Sequence, residues 1–546
     1  MIWALLLIPT LAAGLAFLPS PSSRKAAASS ALRRALLPAA AGCHAALTAA
    51  TWVFPQGHAA SILNGWLGLD AISRLFLTVT SALFLACSFY AVGYLRRERD
   101  LGTNPADATP FPHAAPGSDL GDAPEGRFIG CLLLFLATMT LVALSRHMGL
   151  LWVAVEATTL ASAPLIYYHR NPRSLEATWK YLLICSVGIA LALLGNFFLA
   201  VAAKGSSRAE AAKATHAPLL QARSSENSVV ISTTTQAAEA ADTSLHMTLD
   251  DLAAQARRLD PAWLKAAFCL LLVGYGTKMG LAPMHTWLPD AHSEAPSVVS
   301  ALLSGALLNC AFLGILRAHA IVSAAGMGAF SGQLLTIFGL LSMGLAAVFV
   351  IRQSDYKRML AYSSVEHMGV LSLGAGLGGL AGLGAMLHVV NHSLAKAMLF
   401  LLAGNILAAY RTKKIPQVRG LLGVLPASGV LWMAGFLAIV GSPPFGLFAS
   451  ELIILKGALQ QGRVAVAVGY LAALGVIFVA MARIVLGMTY GRVAEGSPAL
   501  TVRPREKLLA VLPSLALGAA VLVLGLYIPP ALMRALAAAA HAVGVD

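Results

Sequence analysis

The chain holds 546 residues, of which 58% are hydrophobic and only 11% charged. A soluble domain is nearer a quarter charged, and a mean hydropathy of +0.75 over this length excludes a soluble globular enzyme, a disordered chain, a collagen and a small disulfide scaffold. The net charge of +14 comes from 38 Lys and Arg against 24 Asp and Glu, in short clusters without interleaved aromatics, which excludes a nucleic-acid groove.

A spanning helix needs about 20 apolar residues, and the apolar runs here are continuous, not alternating as in an outer-membrane barrel. They predict an all-α, polytopic membrane protein with about fourteen transmembrane helices. The expected spans are 2–20, 35–54, 70–95, 127–146, 148–168, 176–203, 262–283, 295–318, 330–352, 357–378, 380–409, 426–461, 464–490 and 507–528. Met1 to Leu18 lacks a basic stretch before its apolar run, so it is expected to remain as the first span, not to be cleaved as a signal peptide.

Alternate loops differ in charge. One set carries Arg24, Lys25, Arg33 and Arg34; Arg96, Arg97 and Arg99 with Arg127; Arg170 and Arg173; Arg352, Lys357 and Arg358; Arg411 to Arg419; and Arg492 to Lys507. The other carries little beyond Arg146, Arg317, Lys456 and Arg463, apart from the long stretch 204–261. Basic loops stay in the cytoplasm, so both termini are expected on the external side of a bacterial inner membrane. Residues 97–126 read as a flexible cytoplasmic loop, and 204–261 as an external polar insertion whose run Ser224 to Thr243 is expected to be disordered. Thr248, with Asp251 three residues on, resembles a capping box ahead of a short amphipathic helix over Leu252 to Arg258.

The six cysteines, Cys43, Cys87, Cys131, Cys185, Cys269 and Cys310, lie singly in apolar runs without a CxxC pair. They read as buried thiols, so no redox centre is expected in this chain.

Ionisable residues at membrane depth are costly and by default functional. Glu156 lies mid-span in LLWVAVEATTLASAPLIYY (150–168). Lys278 lies in FCLLLVGYGTKMGLAPM (268–284), where Gly274, Gly276, Gly280 and Pro283 predict a broken helix. The bland alternatives are a lone protonated acid and a snorkelling lysine. His388, His392 and Lys396 are spaced by four and share one helix face. Two histidines at that spacing suit zinc, but no nearby carboxylate or thiol completes a site, so no metal is expected. A proton relay suits imidazole better, with a hydrogen-bonded core pair as the alternative. Glu451 follows the break at Pro443 and Pro444 in GSPPFGLFASELIILKG (441–457). The two broken spans, the seventh and twelfth, stand five apart and so run in opposite directions, the signature of two inverted five-helix repeats. The expected organisation is 1–126 (spans 1–3 and a cytoplasmic loop), 127–329 (first repeat, spans 4–8, with the insertion 204–261), 330–490 (second repeat, spans 9–13) and 491–546 (span 14 and tail).

The runs MHTWLPDAHSEAPS (284–297), LLSGALLNCAFLGILR (302–317), DYKRMLAYSSVEHMG (355–369) and NHSLAKAMLFLLAGN (391–405) resemble the antiporter-like subunits of respiratory complex I and its relatives, over about residues 60–490. VEATTLASAPLIYYHR (155–170) and WKYLLICSVGIALALLGN (179–196) look most like the F subunit of hydrogenase-4 and formate hydrogenlyase complexes. The resemblance implies a proton-pumping membrane subunit, not catalytic alone, within a redox-driven complex of the hydrogenase or NADH:quinone oxidoreductase type. Other membrane and peripheral subunits would then be its partners. Iron–sulfur clusters, a nickel–iron centre, flavin or quinone would belong to those partners, with no cofactor in this chain.

The family pattern places a Glu on the fifth span, a Lys on the seventh, an ion on the eighth and a Lys or Glu on the twelfth. Glu156, Lys278 and Glu451 match three of these, and Lys396 matches a span-eleven lysine seen in subunit L. The eighth-span position is Asn309, which does not carry a proton as a charge, so water or the His388–His392–Lys396 stripe would have to take its part. Ending at Asp546, soon after Tyr527, the chain is expected to lack the long lateral helix of the large L subunit. The alternative functions are a cation/proton antiporter or inorganic-carbon uptake subunit, and a scaffold subunit that has lost pumping.

Overall fold

The computed structural model describes residues 1–18, 26–54, 61–102, 123–216, 247–493 and 506–546. The run Ser224 to Thr243, the stretch 103–122, and Arg24 and Lys25 lie outside these residues. The expected spans are helical. They appear as α1 (Ile2–Phe17), α2 (Ala26–Val53), α3 (Ala71–Gly102), α4 (Ala123–Leu144), α5 (Met148–Ile166) and α6 (Pro172–His216), then, after a short α7 (Leu249–Ala254), as α8 (Pro261–Met279), α9 (Trp287–Glu294) and α10 (Ser297–Ala324). The rest are α11 (Gly328–Val350), α12 (Tyr356–Leu377), α13 (Gly379–Tyr410), α14 (Pro426–Ile439), α15 (Gly446–Gln460), α16 (Val464–Tyr490), α17 (Leu508–Leu526) and α18 (Pro530–Ala542).

Ten helices among the described residues are long and apolar enough to cross a membrane. The chain is therefore a multi-span membrane protein. α12 is long but falls outside that set because it is polar, and it has no need of an apolar coat. Its residues from Met359 to Ala375 are all buried against protein, including Glu366 and His367.

α6 shows the opposite design. Leu175, Trp179, Leu183, Val187, Leu194, Phe197 and Val201 are exposed at helical spacing, forming an apolar stripe suited to lipid.

Close helix crossings rest on small residues, as expected where lipid gives no hydrophobic drive between helices. Gly332 and Gly339 of α11 meet Gly376 and Gly369 of α12, backbone against backbone. Gly274 of α8 lies on α6, where an added Cβ would stand 2.6 Å from both Gly188 O and Ala192 N. Neither backbone atom can swing away. Gly274→Ala is therefore expected to destabilise the purified protein by about 1–3 kcal/mol, measured as a lowered thermal midpoint; an unchanged midpoint would mean that the crossing is loose.

Both predicted breaks are present. α8 stops at Met279 because Gly280 turns left-handed at φ +83, and the chain resumes as α9. The carbonyl groups freed there are used: Leu281 N–H donates to Gly276 O at 2.8 Å and the Trp287 indole N–H to Thr277 O at 2.8 Å. The twelfth segment splits into α14 and α15, with Gly441 left-handed at φ +64 between them.

The loops sort into two ends. At one, Arg34 pairs with Glu125 at 2.9 Å, Asp290 with Lys180 at 3.0 Å and Arg358 at 2.8 Å, and Lys413 with Glu294 at 2.7 Å. At the other, Ile2 packs with Leu67 and Leu144, Arg146 pairs with Asp250, and Arg317 reaches Ser73 Oγ at 3.0 Å.

Three boundaries differ from expectation. α6 continues past 203 to His216, into the stretch read as an insertion. The capped helix begins at Leu249, with Thr248 Oγ1 accepting from Asp251 N–H at 3.2 Å, and continues as a 3-10 turn over Ala256–Arg258. The tail holds a further helix, α18, whose Leu536, Ala539 and Ala540 are buried. Val545 beyond it is also buried, over Gly382 of α13.

Candidate functional site

Glu156 stands near the middle of α5, half-buried, beside exposed Ser186 of α6. Its Oε1 accepts from Ser186 Oγ at 3.0 Å and its Oε2 from Thr159 Oγ1 at 3.1 Å. Lys278 is fully buried in the last turn of α8, where the carbonyl end of the helix dipole favours a cation. Its Nζ donates to Thr159 Oγ1 at 2.7 Å and to Tyr181 OH at 2.6 Å, and it lies 4.5 Å from the Tyr181 ring centre. Tyr181 OH in turn shares a hydrogen bond with Ser162 Oγ at 2.7 Å. So the expected Glu156–Lys278 pair meets through Thr159. That hydroxyl accepts from the lysine and donates to the carboxylate, leaving the two charges coupled but separable.

Asn309 is buried on α10, one turn past the start of a π-helical turn at Leu303–Leu307. Its Nδ2 donates to Gly305 O at 2.8 Å and to Ser393 Oγ of α13 at 2.7 Å. Its Oδ1 is buried without a partner among the described residues, an acceptor of the kind that receives a hydrogen bond from water. Asn309→Leu is accordingly expected to slow proton translocation about tenfold per assembled protein by removing this polar step, while Asn309→Lys retains transfer. Equal rates for Asn309→Leu and the unmodified protein would leave Asn309 as a packing residue.

The second half gathers α12, α13 and α15. His367 Nδ1 and His388 Nε2 are 3.0 Å apart, and His388 Nδ1 is 2.9 Å from Ser450 Oγ. Ser450 Oγ also donates to Leu447 O at 2.9 Å. When it does so, it must accept from His388 N–H, and His388 Nε2 then carries the lone pair that receives the His367 proton. If the hydroxyl turns to His388 instead, every bond in the series reverses. The row can therefore pass a proton in either direction.

His392 lies 5.1 Å from His367 between ring centres, and neither of its nitrogens has a hydrogen-bond partner among the described residues. Lys396 is fully buried on the same face, but its Nζ donates to Leu360 O at 2.9 Å, not to an imidazole. Glu451, on α15, is buried with Oε1 unpartnered. Its carboxylate fills the space that a side chain at Gly441 would occupy.

The sequence-expected residues thus fall into two groups, with Asn309 bonded separately to Ser393 of α13, the helix that also carries His388. One expectation fails. A carboxylate does stand near the histidines, because the fold brings Glu451 to within 4.8 Å of the ligand nitrogens of His367 and His388. The sequence reading also missed Thr159, Tyr181, Ser450, Glu366, His367 and His292. His292, on α9, is buried with neither nitrogen hydrogen-bonded, and its ring is stacked 5.0 Å from Phe400. Glu366 and His367 stand inside LAYSSVEHMGVL (360–371), within the expected span 357–378, so the rule that singled out Glu156 would have found them.

Residues 145–477 match the family of NADH:quinone oxidoreductase/Mrp antiporter transmembrane proteins. A hydrogenase-4 component F homolog of Methylacidiphilum infernorum is 33% identical over 467 residues, 85% of each chain. Among solved structures, a chain of the Mrp complex from Dietzia sp. DQ12-45-1b superposes with a TM-score of 0.73 at 19% identity, covering 100% of this chain and 97% of that one. A chain of respiratory complex I from Thermus thermophilus gives 0.73 at 21% identity, covering 100% of both. At these identities the two structures share the fold.

Proposed function

The chain belongs to the NADH:quinone oxidoreductase/Mrp antiporter membrane family, and from that membership we propose that its buried ions and imidazoles carry protons across the bilayer. It is a proton-translocating membrane subunit of a redox complex, and it works among other membrane subunits. The observation that carries the reading is the placing of polar groups at membrane depth: Glu156 bonded through Thr159 to Lys278, Asn309 bonded to Ser393, and His367 beside His388 and Glu451. A chain that only braced a complex would have no use for two fully buried lysines, Lys278 and Lys396, at membrane depth.

In this reading, motion of Glu156 away from Thr159 leaves Lys278 without its nearest counter-charge, and its proton moves toward the second half. His388, His392, Lys396 and Glu451 pass it to the outside. Electrons stay on partner subunits of hydrogenase-4 or quinone-reductase type, which hold the redox cofactors.

Fourteen crossings in an inner membrane, with inverted repeats over spans 4–8 and 9–13, complete the proposal. The paired breaks after Met279 and Ile439 support the repeats, and the grouping of basic loops at one end supports the orientation.

Two experiments test this. Purification of the tagged chain from gently solubilised membranes should bring redox subunits with it, and vesicles holding that assembly should take up protons when supplied with electron donor. Isolation of the chain alone from every mild detergent would contradict the complex. For orientation, a reporter active only in the cytoplasm is expected to stay silent after Asp546 and to work after Arg411. A signal after Asp546 would invert the topology.

A further inference from the structure

Among the described residues, one set of metal-type donors is drawn together by three helices that are distant in sequence. His367 comes from α12, His388 from α13 and Glu451 from α15, and one ligand atom from each lies within 4.8 Å of the others. Within the set, His367 Nδ1 and His388 Nε2 are 3.0 Å apart.

Three features prepare these atoms for a cation. In the arrangement where Ser450 Oγ donates to Leu447 O, it accepts from His388 Nδ1–H and leaves the Nε2 lone pair of His388 directed at the cluster. A hydrogen bond of this kind on the far side of the ring is what orients metal-binding histidines. Glu451 Oε1 is buried with no hydrogen-bond partner. The break between α14 and α15 lies beside them. Gly441 and Ser442 are partly exposed there, and the carboxylate lies directly beneath Gly441.

Two imidazoles and one carboxylate suit a borderline-soft ion that takes nitrogen and oxygen at about 2.0–2.2 Å, not Mg2+ or Ca2+, which prefer all-oxygen shells. We propose that His367, His388 and Glu451 form a binding site for a divalent transition metal of the zinc class, and that its occupation blocks the proton relay. The ion takes the Nε2 lone pair of His388 and the Nδ1 lone pair of His367, whose ring then keeps its proton on Nε2. The contact that carried a proton between the two rings carries a metal instead. The blocking part rests on the proton-translocation reading; the binding does not.

The test uses the full-length chain, stripped with chelator, then given zinc chloride and desalted. The unmodified chain is expected to retain a single zinc per chain, with an X-ray absorption shell of nitrogen and oxygen at about 2.0–2.1 Å. His388→Ala and Glu451→Gln should lose it, and Ser450→Ala should bind about ten- to a hundredfold more weakly. His541→Ala, on the exposed tail, should bind as before and so reports adventitious surface binding. No zinc on the unmodified chain, or equal retention by His388→Ala and Glu451→Gln, overturns the site. If those two variants fail to fold, Ser450→Ala decides, and unchanged affinity there overturns it too. In proton-pumping vesicles, zinc should lower translocation at least about tenfold. Undiminished translocation with zinc bound would overturn the block. Vesicles that move no protons without zinc would instead overturn the proton reading, since binding is measured independently.

Discussion

Lys278→Ala is expected to lower proton translocation on the order of a hundredfold while the chain still reaches the membrane at normal level. The lysine joins α8 to both α5 and α6 through Thr159 and Tyr181. Without it, Thr159 still donates to Glu156 and Tyr181 still bonds Ser162, so no partner is left stranded. The packing loss is then modest and assembly survives. What disappears is the cation that reaches Glu156 through Thr159 Oγ1. Lys278→Arg should fail to restore activity, because guanidinium does not release a proton and its planar fork does not fit a space shaped for an ammonium group. Proton uptake in vesicles, normalised to the amount of subunit by immunoblot, is the measurement. Normal uptake by Lys278→Ala would remove the lysine from the path.

The extent to which this site was legible depends on how far each signal travels along the chain. Span positions follow from continuous apolar runs, because the bilayer imposes that pattern locally. The breaks follow from Gly280 and Pro283 and from Gly441, Pro443 and Pro444, since glycine and proline act where they stand. Glu156, Lys278 and Glu451 announce themselves by cost. Thr159, Tyr181, Ser162 and Ser450 do not, because hydroxyls are ordinary in membrane helices and bond to their own backbone as readily as to a neighbour. Only the crossing of α5, α6 and α8 selects the first three of these hydroxyls, and only the approach of α13 to α15 selects the last.

The approach of Glu451 to His388 is equally invisible in one dimension. The two are far apart in sequence, and their meeting depends on the space left by Gly441. α18 escaped notice for another reason. It is only 13 residues long and largely alanine, too short to register among the apolar runs of about 20 residues that mark the spans.

His388→Gln and His388→Leu separate the two roles that a buried histidine can have. The imidazole has one nitrogen toward His367 and the other toward Ser450, so it is the middle member of the row. Leucine is of similar bulk but bonds to neither neighbour, leaving His367 with no hydrogen-bonded nitrogen at that contact. It should cost about 1–3 kcal/mol of stability and lower translocation on the order of a hundredfold. Glutamine retains a donor and an acceptor and can hold His367 or Ser450, but its amide does not take up and release a proton near neutral pH. His388→Gln should therefore recover most of the stability lost in His388→Leu and almost none of the translocation. If the histidine only braced α12 against α15, the two measurements would move together, and the glutamine variant would pump at nearly the unmodified rate. Thermal midpoint and proton uptake, measured on the same preparations, distinguish these outcomes.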